Sequence, residues 1–207
     1  MKAEKPARIS FVDIGFEDAD RLKELSVKPL SRPKSFLGIE APKKEGEFAS
    51  DTANLELRRD GVIHELAKLP DGSVNVVNAD FSLFSGFYAV DPPSRATISP
   101  TEAYLAGADP EKINGFFNEE KLKALQEIRR VLPPNGRLYI TEYARNMGEV
   151  EALLTEAGYT FETRKIPWEE LDRTATMQEL RKDLESGKAD PEKMQPYRIA
   201  ARKRLNA

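Results

Sequence analysis

Short apolar runs alternate with helical stripes along most of this chain, and that alternation limits its fold more than any other feature. A strand that leads through a helix to a neighbouring strand must return parallel to where it began, by a right-handed crossover. Arg8 to Ile14 is rich in β-branched and aromatic residues and stops at Gly15. Phe36 to Glu40, Asn54 to Arg59, Val74 to Asp80 and Arg137 to Tyr143 repeat that character. Between these runs, apolar residues recur at helical spacing: Ala19, Leu22 and Leu25; Val62, Ile63, Leu66 and Leu69; Leu122, Leu125, Ile128 and Val131. Asp60-Gly61, Pro70-Asp71-Gly72 and Pro133-Pro134-Asn135-Gly136 read as the intervening turns. A further helix over Met147, Val150, Leu153 and Leu154, with Asn146 as its expected cap, ends at Gly158. Thr160 to Ile166 and Tyr197 to Arg204 are the last two strands; with only a charged helix between them, they suit an antiparallel pair.

The length of 207 residues fits one domain, expected to span 1–207. Two insertions interrupt the alternation, an irregular one at about 82–118 and a helical one at about 168–190. With no cysteine and only His64, thiol nucleophiles, thiolate zinc sites and histidine clusters are excluded, so no metal is expected. A net charge of −3 offers no general attraction to nucleic acid or anionic lipid. No apolar run approaches the ~20 residues of a membrane span. No signal-like segment opens the chain, so a cytoplasmic location is expected.

Several strings, in order, resemble the class I S-adenosyl-L-methionine (SAM) dependent methyltransferases. Val12-Asp13-Ile14-Gly15 resembles the opening of the family's first motif, and Gly38-Ile39-Glu40 its second, where an acid ends the strand. Leu69 to Asp80 resembles the approach to the fourth strand, and Ile128 to Ile140 the helix, proline-glycine turn and fifth strand. Glu151 to Tyr159 resembles the following helix with its Ala-Gly-Tyr ending. The resemblance spans nearly the whole chain. It implies an α/β, Rossmann-like, seven-stranded and mainly parallel sheet with helices on both faces and an antiparallel last strand.

It also implies SAM as cofactor and methyl transfer to an acceptor, small or macromolecular, that the sequence does not identify. Asp13, Gly15, Glu17, Glu40, Asp60 and Gly61 fall at the cofactor positions. Glu40 would accept from the ribose hydroxyls and Asp60 would meet the adenine amino group, since a carboxylate only accepts. Gly15 would let the backbone approach the ligand. The glycine loop departs from the family pattern, because its second and third glycines are Glu17 and Ala19. Either Glu17 points to solvent or pairs with the cofactor's amino group, or the loop is remodelled and the pocket lost. Asn78 and Asp80 fall at the catalytic position and lack the prolines of amino-group methylating enzymes. Phe81, Tyr88 and Arg95 are candidates for substrate contact. The alternative is a catalytically inactive methyltransferase-like domain that acts as a binding or scaffold module for a protein partner.

Overall fold

The computed structural model describes residues 9–15, 35–40, 54–90, 97–170 and 175–204. Five parallel strands come first in the main sheet: β1 (Ile9–Ile14), β2 (Phe36–Glu40), β3 (Leu55–Arg59), β4 (Val74–Asp80) and, after a small hairpin, β7 (Arg137–Tyr143). Two more complete it, β8 (Tyr159–Lys165) and β9 (Pro196–Lys203). The spatial order is β3-β2-β1-β4-β7-β9-β8, and β9 runs antiparallel to both of its neighbours. Strand order reverses between β1 and β4, which opens a crevice at the carboxyl ends of these strands.

The inner strands are apolar because they are covered. Val12, Ile14, Leu37, Ile39, Val74, Val77, Leu138 and Ile140 are all buried. Four helices begin within the described residues before β8: α1 (Val62–Ala67), α2 (Pro100–Leu105), α3 (Pro110–Val131) and α4 (Met147–Glu156). Helix α3 packs against both α1 and α4. It buries Ile113, Phe117, Lys121, Ala124, Leu125, Ile128 and Val131, one stripe at spacings of three and four. A final helix, α5 (Ala175–Glu185), falls where the sequence places a charged one.

The span from 82 to 118 is more regular than its pattern shows. A two-stranded hairpin, β5 (Ala89–Val90) with β6 (Thr97–Ile98), leads into α2, and α3 starts at Pro110 rather than near Glu119. Both helices carry strong local start signals. Ser99 and Glu102 form a reciprocal capping box ahead of α2. Asp109 caps α3, with Pro110 in its first turn. The first two turns of α3 have few buried residues, which hides their period. Asn146 stands at the N-cap of α4, but its side chain makes no capping bond. It donates instead to Glu142 at 3.1 Å and to Ser85 Oγ at 2.9 Å.

Candidate functional site

Three side chains expected from the sequence meet at the carboxyl ends of β2 and β3. Glu40 is the last residue of β2 and is 7% exposed; Asp60 follows β3 and is 3% exposed. Asp60 Oδ1 accepts from the Gly61 N–H at 2.8 Å, which sets the entry to α1. Its other oxygen lies 3.8 Å from His64 Nε2, one turn on, and 3.9 Å from Lys68 Nζ at the end of that helix. The Tyr88 hydroxyl reaches the Asp60 carbonyl oxygen at 3.4 Å. Burial pushes the Tyr88 phenol well above its ordinary range, and the charges of Glu40 and Asp60 push the same way. Tyr88 therefore sits with the two carboxylates at the ends of β2 and β3. A cavity of about 570 Å³ opens beside this group, walled by Asp60, Gly61, Val62, Phe87, Tyr88 and Lys123 among others.

A second group occupies the ends of β1, β4, β7 and β9, and strand register builds it. Asp13 is level with Asn78, while Asp80 is level with Thr141, which in turn is level with Arg198. The Asn78 amide donates to Asp13 Oδ1 at 2.8 Å and to Asp80 Oδ2 at 3.2 Å. Asp80 Oδ1 accepts from Thr141 Oγ1 and from Arg198 at 3.0 Å. The same Arg198 nitrogen donates to Asn78 Oδ1 at 3.0 Å. Both oxygens of Asp80 and both ends of the Asn78 amide are thus engaged within the protein. Arg198 is absent from the sequence reading. Nothing in a lone arginine on the last strand reveals that β9 inserts beside β7, which is what carries it to Asp80.

The turn after β4 is held tightly. Phe81 takes φ +54°, a conformation few side chains adopt. Its N–H donates to Thr141 at 2.9 Å, and its carbonyl accepts from Gly86 at 2.8 Å. The Phe81 ring lies 4.5 Å from that of Tyr143, which Arg145 covers from 5.5 Å. Below the turn, the fully buried Glu142 accepts from the Ser85 N–H at 3.0 Å, the Ser85 hydroxyl, the Tyr143 N–H and the Asn146 amide. No lysine or arginine pairs with Glu142 among the described residues. Hydrogen-bond donors meet both of its oxygens.

Gly15 has a use that the sequence did not disclose. It adopts φ +68°, and a Cβ added there would fall 2.3 Å from Ser82 Cβ. Ser82 Oγ donates to the Ile14 carbonyl at 2.7 Å. The bare backbone therefore admits Ser82 and ties the first strand to the turn after β4. Glu17 and Arg95 lie outside the described residues.

Neither the family models nor the curated proteins compared with the chain match it. Solved structures do. The chain superposes on the cyclase SpnF with TM-score 0.59 and 14% identity, over 97% of this chain and 76% of that one. It superposes on a chain of the Haloferax volcanii complex containing the Trm112 methyltransferase activator with TM-score 0.59 and 16% identity, over 99% and 86%. A SAM-dependent methyltransferase from Aquifex aeolicus gives TM-score 0.53 and 14% identity, over 93% and 81%. The chain thus shares a fold with these structures, a SAM-dependent methyltransferase among them: a mainly parallel sheet flanked by helices, in which this chain's β9 runs antiparallel.

Proposed function

We propose that this protein binds SAM at the carboxyl ends of β1 to β4 and transfers its methyl group to an acceptor. The observation that supports this most is the pair of buried carboxylates, Glu40 and Asp60, on adjacent strand ends beside Tyr88 and the cavity. Two carboxylates on adjacent strand ends present acceptor oxygens only. A nucleoside brings donors, in its ribose hydroxyls and its amino group. The cavity volume also lies within the range usual for small-molecule sites.

In this reading Glu40 accepts from the ribose hydroxyls, Asp60 meets the adenine amino group, and Gly61 and Val62 lie along the ring. Asp13, Gly15 and Glu17 supply the loop beside the methionine part. The cofactor contributes an electrophilic methyl on a sulfonium, whose transfer depends chiefly on alignment. The protein's task is then to hold the acceptor in line and keep water out. Phe81 and Tyr143 form an aromatic wall at the ends of β4 and β7, with Arg145 above it. Asp80 acts as an orienter rather than a base, because both of its carboxylate oxygens are already engaged by Asn78, Thr141 and Arg198. Tyr88 shapes the cofactor side, and Arg95 is kept as a substrate contact.

Titration calorimetry with SAM and with S-adenosylhomocysteine tests the cofactor. Both should bind, and Glu40→Ala should weaken both about tenfold or more, as expected for losing a charge-assisted hydrogen bond. Absence of heat and of thermal stabilisation with both nucleosides would overturn the proposal.

One observation favours the second reading, a domain of this fold that serves as a binding or scaffold module. Asn78 and Asp80 already satisfy each other, Asp13, Thr141 and Arg198, so neither is left to hold an amino acceptor without rearrangement. A neighbour found together with the Trm112 activator makes a protein partner a natural search. That reading predicts a stable protein complex and no turnover.

A further inference from the structure

Arg129 and Arg130 are adjacent on the last turn of α3, yet their surroundings are opposite. Arg130 donates to the Leu66 and Leu69 carbonyls, each at 2.8 Å, and pairs with Glu127 at 2.8 Å and Asp71 at 2.6 Å. Arg129 Nε is buried and has no hydrogen-bond partner. Among the described residues, no carboxylate pairs with Arg129 or with Lys203. The Arg129 guanidinium lies against the Gly158 turn, where an added Cβ would sit 3.3 Å from Nε. Lys203, the last residue of β9, is half-buried nearby. Burial and the charge of Arg129 together lower its pKa, against a smaller opposing effect of Asp71.

These residues line a cavity of about 560 Å³ with Asp71, Gly72 and the Pro133-Pro134 turn. It lies where β4 and β7 begin and β9 ends, at the opposite end of the sheet from Glu40 and Asp80. A buried polar group without a partner is uncommon and calls for an explanation. Here it belongs to a guanidinium that shares a cavity with a second unneutralised cation. The one carboxylate in the lining, Asp71, is already committed to Arg130.

We propose that this cavity binds a small oxyanion of the phosphate type between Arg129 and Lys203. Guanidinium presents a planar fork that matches phosphate oxygens, and the ammonium adds a compact charge from the other side. A bound dianion accepts from the outer nitrogens of a guanidinium whose inner Nε is already buried without a partner, and offsets the repulsion between the two cations. The phosphoryl group of a free small molecule suits the site better than a nucleic-acid backbone, since the chain is acidic overall at −3. The proposal is independent of SAM, because the two sites occupy opposite ends of the strands.

Differential scanning fluorimetry on the full chain tests it, with inorganic phosphate added to chloride buffers at constant ionic strength. Phosphate should raise the melting temperature saturably, and chloride should not. Arg129→Gln and Lys203→Gln should each weaken the apparent affinity about tenfold. Lys203→Gln serves where the other change alters folding. Equal stabilisation by chloride, or full retention of the phosphate response in both variants, would overturn the proposal. So would saturable binding of a single-stranded oligonucleotide with no response to inorganic phosphate.

Discussion

Gly15 carries two constraints on one backbone position: a left-handed φ of +68° and the Ser82 side chain packed against its bare Cα. Either one penalises a side chain. Gly15→Ala should therefore destabilise the protein by roughly 2–3 kcal/mol, combining backbone strain with overpacking. In a Ser82→Gly background the packing part should be relieved, leaving only the strain. Urea denaturation of the four members of this cycle measures both parts, and equal costs in the two backgrounds would mean that Ser82 plays no role. Position 15 was legible as a glycine that matters, because it ends a strand in a recognisable string. Its contact with Ser82 was not, since the two lie 67 positions apart in the chain. Arg198 was illegible for the same reason: its meaning depends on the strand it lies beside.

Among the elements, the turn from β4 to β5 depends on Glu142 of β7 more than on its own residues. The carboxylate gathers four donors from Ser85, Tyr143 and Asn146 in a fully buried place. Glu142→Gln keeps the shape but turns one acceptor oxygen into a donor facing donors. A loss of about 2–3 kcal/mol should follow from the unsatisfied groups. The Gly86 amide, which closes the turn on the Phe81 carbonyl, should also exchange its hydrogen faster. Unchanged exchange at Gly86 would show that Phe81 holds the turn by itself. Strands and most helix boundaries could be read from periodicity, as β4 and β7 show. The early turns of α3 could not, because their stripe is sparse and the only signals were the Asp109 cap and Pro110.

At the scale of the whole molecule, two tyrosines, one in the loop after β4 and one opening β8, link stability to alkaline pH. Tyr88 lies beside Glu40 and Asp60, while Tyr159 opens β8 and donates to the Leu125 carbonyl at 3.1 Å. Burial raises both phenols above their ordinary value, with Arg129 opposing it at Tyr159. A group whose folded pKa lies above its unfolded one stabilises the fold fully below the unfolded value, about 10 for tyrosine, and loses that contribution as pH rises further. Stability measured by denaturant should thus fall above pH ~10, and Tyr159→Phe should flatten the fall. Tyrosinate absorbance should show Tyr88 and Tyr159 ionising only on unfolding; their titration in the native state near pH 10 would contradict this.

What the chain determined by itself was the succession of elements and the residues at strand ends, because periodicity, turn chemistry and buried apolar runs are local properties. Glu40, Asp60 and Gly15 were legible because each ends or follows a strand, where open α/β sheets place their ligands. Only the tertiary structure decided who meets whom. The seating of β9 between β7 and β8 set Arg198 against Asp80, and the packing of α3 against the Gly158 turn left Arg129 without an acceptor. The physical reason is that hydrogen bonds and charge pairs act over a few ångströms of space, and strand order, which sets those distances, is written nowhere in a single stretch of sequence.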